Sequence, residues 1–233
     1  MDTIAHFLGQ SGWLIELPHR MYLFDYWRGD IPGVLYDTTK ELVLFVSHNH
    51  ADHFNRKFVA TMAQRANTIV VLSSDVKIKL EGAVRLKENE SAVVNGLEIK
   101  TYGSTDAGVS FFLRDAGISL FHAGDLNLWH WPLESTPEEI HDAERSFDAV
   151  LKKIAENHKS ADIAMFPIDP RQQADYDRGA RDFAQLLHIG WFLPMHFGSS
   201  VSVLEPFASW ASVALPQMKV PMPQVGVPLA LEI

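Results

Sequence analysis

A short apolar run, Leu42-Val43-Leu44-Phe45-Val46, ends almost directly in His48-Asn49-His50-Ala51-Asp52-His53. No other feature limits the fold of this chain as much. Five consecutive apolar residues read as a buried strand, and four potential metal ligands follow it within about one turn of backbone. In extended chain His48 and His50 share a face, and in a first helical turn His50 and His53 share one. A strand-to-helix corner therefore aims three imidazoles and the Asp52 carboxylate at one place. Imidazole and carboxylate suit a borderline cation such as zinc, with manganese or iron as the alternatives. The competing reading is a polar loop holding three unrelated histidines, which the density of the motif disfavours.

The remaining composition narrows the class. A chain of 233 residues, 47% of them hydrophobic, fits one α/β domain spanning 1–233 with a substantial core. It contains no cysteine, which excludes disulfides, thiol nucleophiles and cysteine-ligated zinc and agrees with a reducing compartment. Residues 1–6 lack a basic stretch followed by an apolar run, so no secretory signal is expected and the location is read as cytoplasmic. No apolar run approaches the ~20 residues of a membrane helix, so no membrane association is expected. The formal charge of −9 repels phosphate backbones. Lys77-Ile78-Lys79 and Lys152-Lys153 are short, acid-flanked clusters that read as solvated faces, and nucleic acid is not expected as a partner. The expected partner is a small-molecule substrate, with a homo-oligomer left open.

Along the chain, the first half reads as strands at 3–8, 13–17, 21–24, 42–46 and 68–72, with a helix over 55–66. A second series follows at 83–86, 91–94, 97–101, 109–113 and 118–121, with turns at Asn95-Gly96 and Ala116-Gly117. Thr136-Pro137-Glu138-Glu139 predicts a capping box. It opens a helix whose apolar stripe is Ile140, Ala143, Phe147, Val150 or Leu151, and Ile154. Strands at 163–166 and 191–193 alternate with helices near 176–188 and 206–215. This order suggests helices packed outside a two-sheet core.

Ligands remote in sequence should emerge at strand ends. The 118–121 strand runs into His122-Ala123-Gly124-Asp125, and the 191–193 strand into Pro194-Met195-His196-Phe197-Gly198. Asp125 and His196 are therefore the candidates to join the histidine segment, while His122 reads as a residue that orients a ligand. With these residues in place, the chain resembles the metallo-β-lactamase superfamily, from Leu8-Gly9-Gln10-Ser11-Gly12-Trp13 through His48–His53 and Gly124-Asp125 to His196. Within it, the chain looks most like the branch containing ascorbate-6-phosphate lactonase. The resemblance implies a four-layer αββα sandwich. It also implies that His48 and His50 bind one metal, that Asp52, His53 and His196 bind a second, and that Asp125 bridges them. Family members usually supply a further histidine where this chain has Gly103-Ser104-Thr105-Asp106. Serine is a poor zinc ligand, so the second site is expected to be the tighter one, and one or two ions are expected.

The chemistry expected is attack by a metal-activated water on a small ester, lactone or phosphodiester. Asp52 is a candidate for orienting that water and moving its proton, or acts as a ligand alone. Trp129 would form a pocket wall and His130 would protonate the leaving group, unless this loop simply packs on a neighbouring helix. Arg171 or Arg178 would hold a substrate anion, or serve salt bridges in their acidic segment. Tyr176 would stabilise an oxyanion and Asp106 would contact substrate or swing towards the metal. Two other classes stay open: a scaffold that keeps the fold without turnover, and a diiron redox protein, disfavoured by His at position 50.

Overall fold

Strands form where the apolar pattern demands burial, and helices where it takes a helical period. The structure, a computed structural model, describes residues 2–233; Met1, part of the N-terminal stretch read above, lies outside them. Its contacts divide the described chain into two compact units, each built on one sheet.

The first unit runs to Lys87 and takes back Pro223–Ile233. It opens with the expected antiparallel meander of β1 (Asp2–Gly9), β2 (Gly12–Glu16) and β3 (Arg20–Phe24). The first turn closes with Gly9 opposite Gly12, and φ is +90° at Gly9, a conformation that glycine adopts without strain. The chain then changes mode. β4 (Glu41–Val46), β5 (Thr68–Ser73) and β6 (Val84–Leu86) join in parallel beside β3. Parallel strands need covered connections, and α1 (Arg56–Met62) supplies the one between β4 and β5. Asn55 caps it by accepting from the Phe58 N–H, 3.0 Å. α1 is shorter than the expected 55–66 because the chain turns after Ala63, and Arg65 donates there to the carbonyls of Leu35, Lys40, Ala66 and Asn67. Val59 and Met62 of α1 join Leu42, Leu44, Val70 and Leu72 in one apolar cluster.

The second unit, Glu88–Met222, carries the other sheet. β7 (Ser91–Val94), β8 (Leu97–Tyr102), β9 (Ser110–Asp115) and β10 (Ile118–His122) form antiparallel pairs. Both predicted two-residue turns hold: φ is positive at Asn95, Gly96, Ala116 and Gly117, as the matching twist of a hairpin requires. β11 (Ser160–Pro167) and β12 (His188–Met195) then add in parallel to β10. Both are longer than their apolar centres suggested, since β pairing extends the ladder into polar residues. α2 (Pro137–Asn157) starts with the predicted capping box and buries Phe147, Val150, Leu151 and Ile154. α3 (Arg178–Leu186) contacts β12, and α4 (Glu205–Ala214) buries Phe207 and Ala211. After α4 the chain returns to the first unit as β13 (Leu229–Glu232), antiparallel to β1.

One core residue carries a pH signature. His158 ends α2 with its ring stacked on Phe112, centroids 3.4 Å apart, and its Nε2 2.7 Å from the Tyr102 hydroxyl. Burial, reinforced by the Arg114 and Lys100 cations, pushes its pKa down to about 4. The unfolded chain therefore binds more protons than the native one between pH ~6.5 and about 4, and stability falls as pH drops through that window. Urea unfolding at pH 7 and at pH 4.5 should show a loss of up to about 3 kcal/mol from this group, and His158→Gln should flatten that part of the slope.

Candidate metal centre

In the first unit β3, β4 and β5 run parallel, so their C-terminal ends share one edge. The register pairs Phe24 with Phe45, which sets Asp25 beside Ser47, one residue short of the histidine segment. Asp25 is completely buried, and a buried carboxylate needs its lone pairs filled. It accepts from the Ser47 N–H (2.7 Å), the Ser47 hydroxyl (2.5 Å) and His53 Nδ1 (2.8 Å). With its hydroxyl proton given to Asp25, Ser47 can accept from His48 Nδ1, 2.9 Å away.

One carboxylate thus places the Nδ1 protons of both buried imidazoles, His53 directly and His48 through Ser47. The lone pair then lies on Nε2 of each ring, the form that binds a metal. The two rings lie 4.0 Å apart by centroids, and His50 stands edge-on to His48 at 4.5 Å. His50 is exposed, and its carbonyl accepts from the N–H groups of His53 and Phe54, making the tight turn expected of the corner. Asp52 is half-buried, and its Oδ2 accepts from Gln10 Nε2 at 2.9 Å. Asn49 ties the turn to the segment after β5: its N–H donates to Asp75 and its Oδ1 accepts from the Lys77 N–H. Two oriented neutral imidazoles, a third beside them and a carboxylate held by an amide make a donor set that fits a borderline divalent cation.

The second unit repeats the device. β10, β11 and β12 run parallel, so Asp125, Asp169 and His196 all follow strand ends on one edge. His196 Nδ1 lies 2.9 Å from Asp169 Oδ2, and its Nε2 lies 3.6 Å from Asp125 Oδ1. Asp169 is 1% exposed. Burial pushes its carboxyl up, but hydrogen bonds from His196 and Arg171 outweigh that and hold its pKa at about 2. His122 accepts the Gly124 N–H on Nδ1, 3.1 Å, so it shapes the turn before Asp125.

The loop after Asp125 is built inward. Trp129 donates Nε1–H to the Asp125 carbonyl at 2.7 Å, and its ring meets His196 edge-on at 5.7 Å. Gln172 accepts from Asn127 and donates to the carbonyls of Leu128 and His130. His130 is buried with Nδ1 3.1 Å from the Leu128 carbonyl.

The other predicted residues take the following places. Arg171 grips Asp169 and approaches His196 Nδ1 at 3.4 Å. Arg178 pairs with Glu144 and Asp182, and Tyr176 donates to the Val203 carbonyl at 2.7 Å. Asp106 is exposed, its N–H donating to the Ser104 hydroxyl at 3.2 Å. Asp25, Gln10 and Gln172 are the residues sequence reasoning missed, and Asp169 was passed over in favour of its neighbour Arg171. Their only signal is position, at or beside strand ends whose pairing the sequence does not print.

Residues 5–141 match the family described as Beta-lactamase superfamily domain. The chain belongs to this family. Its fold is the metallo-β-lactamase fold, two mixed sheets with flanking helices. Among solved structures, this superfamily chain is similar to Igni18, a metallo hydrolase of Ignicoccus hospitalis, at 17% identity with all of both chains covered and a TM-score of 0.72. It is also similar to the metallo-β-lactamase fold protein YhfI of Bacillus subtilis, at 11% identity over 98% of this chain and 99% of that one, TM-score 0.63. CmlA, a diiron β-hydroxylase of Streptomyces venezuelae, aligns at 12% identity over 100% of this chain and 54% of its own, TM-score 0.64. No curated protein matches the sequence. Among the described residues, no helix is long and apolar enough to cross a membrane.

Two outcomes follow from this geometry. Asp25→Asn keeps the shape but removes the charge that sets both imidazole tautomers, so zinc affinity by chelator competition should fall about 10–100-fold with the far-UV spectrum unchanged. At Gly179, in the first turn of α3, an added Cβ would lie 2.8 Å from the Leu128 backbone nitrogen. Gly179→Ala should therefore destabilise the chain by about 1–3 kcal/mol in thermal unfolding and shift the tryptophan fluorescence of the 127–131 loop.

Proposed function

We propose that the whole chain acts as a single metal-dependent hydrolase of a small ester, lactone or phosphodiester. The observation that carries the reading is the repeated histidine–carboxylate pairing, Asp25 with His53 and Asp169 with His196, each fixing an imidazole in the tautomer a metal needs. His48, His50, Asp52 and His53 of the first unit and Asp125 and His196 of the second are the proposed ligands for one or two ions, with zinc first and manganese or iron as alternatives. When bound, the metal supplies Lewis acidity and a nucleophile from water at neutral pH.

In this reading the chain's own residues do the rest. Gln10 holds one carboxylate oxygen of Asp52, which fixes the plane in which the group orients water and takes its proton. Trp129 forms a wall beside His196, and His130 positions that wall through the turn it closes. Arg171 keeps Asp169 ionised, so His196 keeps its orientation, and Tyr176 fastens the segment before α3 through Val203. The resemblance to the ascorbate-6-phosphate lactonase branch makes lactones the first substrates to assay.

The test is metal content by plasma mass spectrometry on protein purified without added metal, followed by lactone and phosphodiester hydrolysis. One or two zinc or manganese ions per chain are expected, with His48→Ala and His196→Ala losing metal and falling to background turnover. Protein that holds no metal, even after titration, would overturn the reading in favour of a scaffold. Two irons with no hydrolysis would favour the redox class.

A further inference from the structure

The first unit holds an open groove of about 1050 Å³ between α1 and the segment that follows β5. Four cationic side chains, Arg56, Lys77, Lys79 and Arg85, line it against one acid, Glu81. In a chain of net charge −9 this concentration of one sign runs against the average, and like charges gathered in one concavity raise its potential for anions.

The groove is built rather than incidental. Burial alternates along the wall, with Val76 and Ile78 turned into the apolar cluster and Lys77 and Lys79 exposed. The two arginines fix the backbone between them. Arg85 donates to the carbonyls of Val76 and Ile78, and Arg56 to that of Lys77. Both lysines are thereby presented from a braced backbone, which lowers the ordering cost of binding. The same wall is joined to the histidine turn, because Asn49 accepts the Lys77 N–H at 2.9 Å and donates to Asp75 at 3.1 Å.

We propose that this groove binds a multiply charged oxyanion of the phosphate class carried by a small molecule, with Lys77 and Lys79 making the direct contacts and Arg56 and Arg85 bracing them. Guanidinium and ammonium groups together favour a compact dianion, which relieves their mutual repulsion. The binding does not rest on the hydrolase reading.

The experiment is calorimetric titration of the full-length, chelator-treated protein with inorganic phosphate at fixed ionic strength, beside three variants. Lys77→Ala/Lys79→Ala should bind at least tenfold more weakly, Glu81→Gln more tightly, and His48→Ala as the parent does. Parent protein that does not bind phosphate, a double variant that binds undiminished, or a loss confined to His48→Ala would each overturn the groove as the site. Because the titration is read without metal, its failure leaves the hydrolase reading standing, and failure to hydrolyse any substrate leaves a positive titration standing.

Discussion

The Asp25 carboxylate is the interaction on which the histidine edge of the first unit depends. A fully buried anion is costly, and it is tolerated here because three donors converge on it. Those donors exist only because β3 and β4 pair in parallel with Phe24 opposite Phe45. A shift of one residue in that register would turn Asp25 away from Ser47. Strand pairing, a backbone property, therefore determines which nitrogen of His48 and His53 carries the proton. Asp25 itself sits at φ 43°, a left-handed conformation uncommon for any residue but glycine, though aspartate takes it more readily than most. Strain of this kind persists where the surroundings over-determine it, and the three hydrogen bonds do so.

The second unit reaches the same result by a different route. There the left-handed residue is the histidine, His196 at φ 65°, and the carboxylate Asp169 follows the neighbouring parallel strand. Pro167 pairs with Met195, so both functional groups leave the sheet within two residues of the last paired position. In each unit, parallel strands deliver an acid and an imidazole to the same edge, and one residue with positive φ turns the side chain of the pair inward. Gln172 completes the arrangement by satisfying the turn carbonyls of Leu128 and His130, so that the loop carrying Trp129 is held by side chains rather than by a regular element.

The histidine segment was legible because its ligands are adjacent in sequence and its strand is uninterrupted. Asp125 and His196 were legible because glycine and a preceding apolar run marked their strand ends. Asp25 was not, and Gln10 was marked only as part of the Leu8–Trp13 segment and not by its role, since each acts on a residue more than twenty positions away. Asp169 was overshadowed by Arg171, which reads from sequence as an anion clamp or a salt-bridge residue and which pairs with that carboxylate. Lys77 and Lys79 are exposed, as their charged surroundings suggested. What the sequence could not display is that Arg56 and Arg85, remote from each other, border the same groove. Helix limits erred for a related reason: β12 claims His188, where the helix read near 176–188 was expected to end, and α3 stops at Leu186.

Ser104 has a structural task of its own. Its hydroxyl accepts the Asp106 N–H and closes a local turn, so it is committed to shaping the backbone there. His48 is aligned through Ser47 by the same carboxylate that aligns His53, which reduces the rotamer freedom that metal binding must remove. Two imidazoles oriented by one buried acid are preorganised donors, so under the proposed function metal occupancy would depend on Asp25 as much as on the histidines themselves.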